Sequence, residues 1–268
     1  MAFDKQVMSA FLRKRQERKK QLKKKKKRIH LRLVRSDEPP SIQQIIDDYA
    51  IREAQPYQGW LRPSMLFGCD RANVFHYRLT PMGPQQIDPR LRRILDNGSA
   101  IHDMIQNTYL STHPDWWFVK EPKVEYRLFG IRIWGSCDGV LIRRKDMFRV
   151  GVEIKTINHD EFMKLTKPKD EHVLQACIYM HIQRLPWIVI LYWDKDKQHL
   201  KEFYVSAKDG DWDEVREHVK YLKPWLVEEE QDELASKKKL SLPKYEKRQC
   251  QKSFCRYVKD CRRAGAPV

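Results

Sequence analysis

The sequence predicts an α/β fold in which a central sheet is flanked by helices, with further helices at both ends of the chain. Two observations support this class. The helical and strand-like apolar patterns follow the order helices, three strands, helix, two strands and helix. In addition, 41% of the 268 residues are hydrophobic and eight are Trp, which provides enough apolar surface for one sizeable core.

Helices are predicted for the first part of the core. Ser41 follows a Pro-Pro pair and is a typical N-cap residue for a helix from Ile42 to about Glu53. Apolar residues at helical spacing predict two more helices, at about residues 63–77 and 89–110. Gly98 and Ser99 are small enough to let the second of these pack closely against a neighbour.

Strands dominate the middle of the chain, where β-branched and aromatic residues are frequent. The predicted strands lie near residues 116–124, 127–142, 148–157, 187–193 and 200–205, with a helix at 171–183 and a charged helix at 211–229. We therefore expect one domain over residues 41–268. It comprises a helical N-terminal part (41–115), a core (116–210) and a C-terminal part (211–268).

Residues 1–40 form a basic arm. Between Arg13 and Arg35 there are 14 Lys or Arg residues and one acid, Glu17, so this segment carries most of the net charge of +17. Such a charge density repels itself, and we expect the arm to be disordered when free. It is typical of non-specific attraction to nucleic-acid phosphates, while a solubilising tail and a nuclear-import signal remain alternatives.

The sequence predicts an intracellular protein that does not span a membrane. No run of about 18 apolar residues occurs, and the N-terminus lacks an apolar signal core. If the host is eukaryotic, the basic arm leaves a nuclear location open.

The segment around Asp138 and Glu153 is the clearest candidate for a chemical site. Two strand patterns surround a polar turn at Lys145-Asp146, and residues equidistant from such a turn face each other across an antiparallel hairpin. A tight turn there places Asp138 beside Glu153, and Lys155 projects from the same face as Glu153. Since facing carboxylates repel, a hard divalent cation is expected between them. A metal, two carboxylates and a lysine can activate water against a phosphodiester. The alternative is a half-buried strand whose charges face water.

Polar side chains on the predicted helices are further candidates. His102 closes an R-x5-G-x3-H pattern that starts at Arg92, and imidazole is a good ligand for Mn²⁺-like ions. Gln175 and Tyr179 are four residues apart, so they point the same way, and their amide and phenol suit contacts with nucleic acid. Taken singly, each is also an ordinary polar residue of a helix.

Six cysteines in an intracellular chain argue against a disulfide framework. Cys137 and Cys177 fall in apolar segments and are expected to be buried. Three of the others fall in a twelve-residue stretch of the basic C-terminal tail, which indicates metal ligation. One upstream cysteine is the candidate fourth ligand. These four are Cys69, Cys250, Cys255 and Cys261.

Together these residues resemble the RecB-type branch of the PD-(D/E)XK nuclease superfamily. That branch has a helical His, an Asp, an E-x-K motif and a Q-x3-Y helix in this order. The chain supplies His102, Asp138, Glu153-Ile154-Lys155 and Gln175 to Tyr179. One cysteine before the His and three at the C-terminus is the arrangement of its iron–sulfur members, which include CRISPR-adaptation exonucleases and their viral and bacterial relatives. The resemblance covers roughly residues 60 to 263.

The resemblance implies a restriction-endonuclease-like core with a mixed central sheet, and a divalent-metal-dependent deoxyribonuclease. Lys155 would orient or deprotonate the attacking water. The implied ligands of Mg²⁺ or Mn²⁺ are His102, Asp138, Glu153 and the backbone carbonyl of Ile154. The substrate-binding candidates are Gln175, Tyr179 and Arg92.

The resemblance also implies that the four cysteines hold a [4Fe–4S] cluster, which joins the helical N- and C-terminal additions. The spacing C-x4-C-x5-C has a wider first pair than these relatives usually have. Structural Zn²⁺ therefore remains the alternative. The residue before Asp138 is Cys137 rather than proline, at a position that varies in the superfamily.

The function expected from the resemblance is a DNA exonuclease acting on single strands or duplex ends in recombination, repair or viral DNA processing. The alternatives are a structure-specific or restriction-type endonuclease and a catalytically inert DNA-binding accessory protein. Recombination or replication proteins are the expected partners, in a bacterial or virus-infected cell.

Overall fold

The computed structural model describes residues 41–52, 59–78, 85–207, 212–227, 242–250 and 255–267, and the basic arm lies outside these ranges. The chain divides into two units, residues 1–50 and 51–268. The described part of the first unit contains helix α1 (Ile42–Asp47), which ends before the predicted Glu53. Ser41 is its N-cap as predicted, because its hydroxyl accepts a hydrogen bond from the backbone N–H of Gln44.

The second unit combines strands and helices in alternation. The described strands are β1 (Ile51–Arg52), β2 (Gln85–Gln86), β3 (Trp116–Lys120), β4 (Lys123–Leu128), β5 (Ile131–Ser136), β6 (Gly139–Arg143), β7 (Arg149–Ile157), β8 (Trp187–Asp194) and β9 (Leu200–Ser206). The helices are α2 (Pro63–Leu66), α3 (Asp70–Arg78), α4 (Pro89–Met104), α5 (His159–Lys164), α6 (Asp170–Gln183), α7 (Trp212–Leu226) and α8 (Val258–Arg263). Helix α4 continues into a π-helical turn at Ile105–Leu110, and a 3₁₀ turn covers Lys247–Gln249. Within the described residues, every helix is too short or too polar to cross a bilayer.

A mixed five-stranded sheet with the order β3-β6-β7-β8-β9 forms the centre of this unit. Strands β7 and β8 run parallel, and the other neighbouring pairs are antiparallel. A parallel pair needs a crossover connection, which α5 and α6 provide. Helix α6 is largely apolar, and Ala176 and Ile178 are fully buried in the main core. The predicted mixed α/β class is confirmed.

Two predicted strands were too long, because the chain changes sheets inside each of them. Residues 116–124 divide between β3 and β4, and residues 127–142 divide between β5 and β6. Strands β4 and β5 form a separate two-stranded hairpin. Glu121 ends β3 with a left-handed backbone (φ 46°), and Cys137-Asp138 connects the two sheets. Pro122 and the Asp138-Gly139 pair are turn signals at these two breaks, and the prediction of continuous strands passed over them.

One predicted helix is also interrupted. The prediction for residues 63–77 corresponds to α2 and α3, with Phe67 to Cys69 between them. The backbone N–H of Gly68 bonds to the carbonyl of Met65, which closes α2 after a single turn. The interruption leaves Cys69 just before the first residue of α3.

The hairpin of β6 and β7 has the predicted register. Gly139 pairs with Val152 and Val140 with Gly151, so Asp138 and Glu153 occupy equivalent positions one step beyond the paired residues. At the other end, the Arg143 guanidinium donates two hydrogen bonds to Asp146, at 2.8 and 2.7 Å. This register places both carboxylates at one end of the hairpin.

Candidate active site

Asp138 lies where the chain passes from β5 to β6, and the surrounding backbone holds it firmly. Its Oδ2 accepts a hydrogen bond from the backbone N–H of Ile154 at 2.6 Å. Its carbonyl accepts from the N–H of Glu121 at 3.2 Å and from the side-chain amide of Gln106 at 2.9 Å. These contacts leave Oδ1 directed toward His102.

His102 reaches the site from α4. Its Nδ1 is 3.3 Å from Oδ1 of Asp138, and both side chains are partly exposed. Gly98, one turn earlier, lets α4 approach β7 closely, because a Cβ at this position would be 3.3 Å from Oγ1 of Thr156. The structure therefore brings together the predicted His and Asp.

Glu153 lies on β7 and its side chain is only 4% exposed. Its Oε1 accepts hydrogen bonds from Nζ of Lys155 at 2.8 Å and from Nε2 of Gln175 at 2.7 Å. Its Oε2 is buried without a hydrogen-bond partner among the described residues. A buried carboxylate oxygen without a partner is costly, so this atom would be stabilised by a bound cation.

The electrostatics of Glu153 also favour a bound cation. Burial raises the pKa of Glu153, the Lys155 ammonium opposes this, and repulsion from Asp138 adds to it, so that the pKa reaches about 7. The ionised form therefore lacks sufficient positive charge in its surroundings. A cation bound beside both carboxylates would stabilise it.

Gln175 and Tyr179 support the catalytic candidates from α6. The Oε1 of Gln175 accepts a hydrogen bond from Nζ of Lys155 at 2.8 Å, and its Nε2 is 3.2 Å from the Tyr179 hydroxyl. That hydroxyl donates to the carbonyl of Ser136 at 2.9 Å. Both side chains are buried. Their contacts in the structure position Lys155 and Glu153, and their predicted contact with substrate stays a prediction.

Arg92 has other contacts in the structure. Its guanidinium pairs with Asp96, one turn along α4, at 2.8 Å and donates to the carbonyl of Ile51 at 3.2 Å. It lies ten residues before His102 on the same helix, about 15 Å along the axis. Its proposed contact with substrate therefore stays a prediction.

Gln106 is a site residue that the sequence analysis did not identify. It lies in the π-helical turn, is buried, and holds the backbone of Asp138. Turns of this kind are frequent at functional sites. The available signal was its position four residues after His102, which puts both residues on one helical face.

We expect Gln106→Ala to lower the rate of the DNA cleavage that the sequence predicts by roughly tenfold, because a freed Asp138 backbone misplaces the carboxylate. Folding should be little changed, since the N–H of Glu121 still bonds to the same carbonyl. Single-turnover kinetics measure the effect, with the exposed Asn107→Ala as control. Wild-type rates for Gln106→Ala would show that this amide has no positioning role.

A cleft of about 460 Å³ opens beside His102. It lies between α4 and the end of β3, and its polar lining includes Ser99, His102, Asp103, Gln106, Lys120 and Glu121. The Lys120 ammonium pairs with Asp103 at 2.9 Å. His102 is the candidate metal ligand that lines this cleft.

The four cysteines predicted as metal ligands lie near one another. Burial raises the pKa of Cys69, Cys255 and Cys261, and repulsion from the neighbouring thiols raises each further, with Cys250 acting on all three. Cys137 and Cys177 are buried elsewhere, as predicted. The structure thus separates four clustered thiols from two core residues.

The C-terminal segment is packed against α3, which begins directly after Cys69. Phe75 stacks on Tyr257 with ring centroids 5.9 Å apart, and the Tyr257 hydroxyl lies 2.9 Å from Nδ1 of His76. Arg71 donates to the carbonyl of Ala264 at 3.2 Å. These contacts hold the two cysteine-bearing segments side by side.

No protein-family model matches the chain, and no curated protein matches it. The solved structure of SSO0001 matches with a TM-score of 0.44 and 15% sequence identity. The match covers 62% of this chain and 76% of the SSO0001 chain. The alkaline exonuclease LHK-Exo from Laribacter hongkongensis is 16% identical to this chain, with a TM-score of 0.43. The match covers 63% of this chain and 89% of LHK-Exo. The structure of LHK-Exo in complex with dAMP has a TM-score of 0.39 at 16% identity. The match covers 62% of this chain and 88% of that chain. The assignment of a function therefore rests on the side chains of this chain.

Proposed function

We propose that this chain is a divalent-metal-dependent DNA exonuclease, acting on single strands or duplex ends in recombination, repair or viral DNA processing. The observation that carries the proposal is the buried carboxylate of Glu153. Its Oε1 is fixed by Lys155 and Gln175, while its Oε2 lacks a partner among the described residues. An ion pair that served stability alone would gain nothing from an unpaired oxygen.

The residues at this site fit a metal of the Mg²⁺ or Mn²⁺ class. Asp138, Glu153 and the carbonyl of Ile154 offer oxygens, and His102 offers an imidazole, which suits Mn²⁺. The ligand atoms of His102, Asp138 and Glu153 are not all within 4.8 Å of one another, so the side chains must close around an ion. When bound, the metal supplies a water of lowered pKa and neutralises charge on the phosphate.

Lys155 has one N–H available for the reaction. Its ammonium carries three protons, and two are donated to Glu153 and Gln175. The third can hold the attacking water or a phosphate oxygen, where it stabilises developing negative charge. In the hydrolysis, the attacking water gives up a proton to solvent, its oxygen forms a bond to phosphorus, and a phosphorus–sugar oxygen bond breaks. The leaving oxygen takes up a proton, which yields one hydroxyl end and one phosphate end.

The substrate mode is tested with DNA of different topology. We expect the protein with Mn²⁺ to degrade end-labelled linear DNA and to leave closed-circular DNA intact. Nicking or linearisation of the circle at a similar rate would instead indicate the endonuclease alternative. Binding without cleavage of either DNA, in the presence of Mn²⁺, would indicate the inert accessory protein.

Metal binding should also appear in the stability of the protein. We expect Mn²⁺ to raise the unfolding temperature of the wild type, because only the folded state assembles the ligands. Glu153→Gln should reduce this rise, because a neutral amide is a poorer ligand than a carboxylate for a hard cation. Differential scanning calorimetry measures both effects. An equal Mn²⁺ response in the two proteins would exclude Glu153 as a ligand.

The cysteine group is proposed to hold a [4Fe–4S] cluster. No three of the four sulfurs lie within 4.8 Å of one another. Tetrahedral zinc with bonds of about 2.3 Å places its sulfurs about 3.8 Å apart, so zinc would require these side chains to close around it, as a metal at the Glu153 site would, and the preference for the cluster rests on the resemblance in cysteine pattern. Structural Zn²⁺ remains the alternative. The expected partner of the site is DNA, and the basic arm adds affinity for it without adding specificity.

A further inference from the structure

A second group of metal-ligating side chains lies at the end of β8. Among the residues that the structure describes, His159, Asp194 and His199 form the one set of three whose ligand atoms all lie within 4.8 Å of one another. Asp194 is the last residue of β8, His159 is the first residue of α5, and His199 precedes β9. None of them contributes to the proposed nuclease site.

The distances within this group are close to those of a metal site. Oδ2 of Asp194 is 2.7 Å from Nδ1 of His159 and 3.7 Å from Nδ1 of His199. Neighbouring ligand atoms of four-coordinate zinc, with bonds of about 2.0–2.1 Å, are about 3.3 Å apart. The two distances lie on either side of this value, so small side-chain rotations complete the geometry.

The carboxylate of Asp194 is fixed before any metal binds. Its Oδ1 accepts hydrogen bonds from the backbone N–H groups of Asp196 and Lys197, at 3.0 and 3.1 Å. The carboxylate of Asp196 in turn accepts from the backbone N–H of His159 at 2.8 Å, which secures the start of α5. The loop therefore satisfies Oδ1 and presents Oδ2 to the two imidazoles.

If Asp194 served only to stabilise the loop after β8, the imidazole of His199 would have no role beside it. The bond between Asp194 and His159 already connects the loop to α5, and 3.7 Å is too long for a hydrogen bond from His199. Nδ1 of His199 nevertheless lies near the same oxygen, Oδ2 of Asp194. The Asp194 side chain is 0% exposed, whereas those of His159 and His199 are 35% and 63% exposed. The carboxylate is thus buried behind two imidazoles that are open to solvent.

We infer that His159, Asp194 and His199 bind a zinc-class transition metal ion, with water in the remaining position. Two imidazole nitrogens and one carboxylate favour such an ion over Mg²⁺, which prefers oxygen ligands. The ion links the start of α5 to the β8–β9 hairpin. The site is independent of the proposed nuclease function, since it shares no ligand with it.

Zinc titration of the full chain tests this inference, with His199→Ala as the variant and the exposed His113→Ala as its control. Metal held by the cysteines is common to all three proteins, so differences between them report on the histidine site. We expect the wild type and His113→Ala to bind one more Zn²⁺ per chain than His199→Ala, or to bind it at least about tenfold more tightly. His199→Cys should restore binding, because a thiolate also ligates zinc.

The same proteins are compared by unfolding temperature in EDTA and in Zn²⁺. We expect equal values in EDTA and a smaller Zn²⁺-induced rise for His199→Ala than for the wild type. Equal zinc stoichiometry and affinity in the wild type and His199→Ala would overturn the inference, whatever the nuclease activity.

Discussion

Lys155→Ala will lower DNA cleavage by at least about 10²-fold while leaving DNA binding nearly unchanged. The ammonium is held at 2.8 Å from both Glu153 and Gln175, so its remaining proton is aimed by a rigid buried network. Alanine removes that donor and also leaves Oε1 of Glu153 without its charged partner. The proposed DNA contact depends on the other Lys and Arg residues of the chain, above all those between Arg13 and Arg35, which the substitution leaves unchanged.

The measurement is single-turnover digestion of end-labelled DNA with Mn²⁺, together with fluorescence anisotropy of DNA binding without a divalent metal. Lys145→Ala is a matched control, because it removes one exposed lysine from the tip of the same hairpin. The control should cleave at the wild-type rate. Retained cleavage by Lys155→Ala would remove Lys155 from the catalytic group.

Among the variants considered, Cys255→Ala should lower the stability of the folded protein most. The metal proposed at the four thiolates would contribute directly to folding, because the unfolded chain does not assemble the ligands. Loss of one ligand should release the C-terminal segment from α3, lower solubility and abolish the broad visible absorption of an iron–sulfur protein. Activity should fall only as a consequence of lost folded protein.

Metal analysis and a visible spectrum of anaerobically purified protein measure this effect. Cys177→Ala is the control, since Cys177 is a buried thiol in the main core rather than in the cysteine group. It should keep its metal. A well-folded, colourless and fully active Cys255→Ala protein would contradict a structural cluster, while zinc in place of iron in the wild type would favour the alternative metal.

The hairpin register was predictable because it depends on local geometry alone. Side chains alternate along a strand, so one polar turn fixes which residues face each other. The projection of Lys155 from the same face as Glu153 and the joint orientation of Gln175 and Tyr179 followed from the same kind of periodicity, and in the structure each pair is in contact.

Features that depend on tertiary packing were not predictable. Pro122 and Asp138-Gly139 mark the two breaks in the sequence, but the separate sheet formed by β4 and β5 follows only from the fold. The hydrogen bond from Gln106 to Asp138 joins residues 32 positions apart, across two elements. The burial of Gln175 and Tyr179 likewise results from how α6 lies on the sheet, and it changes how they act in the site.

The most direct measurement compares wild type and Asp138→Asn on end-labelled linear DNA, with and without Mn²⁺, at equal occupancy of the cysteine site. We expect nucleotide release by the wild type only with Mn²⁺, and a loss of roughly 10³-fold in Asp138→Asn with DNA affinity retained. Asp146→Asn, at the opposite end of the hairpin, should behave as the wild type. Cleavage by Asp138→Asn at the wild-type rate would contradict the assignment of this site.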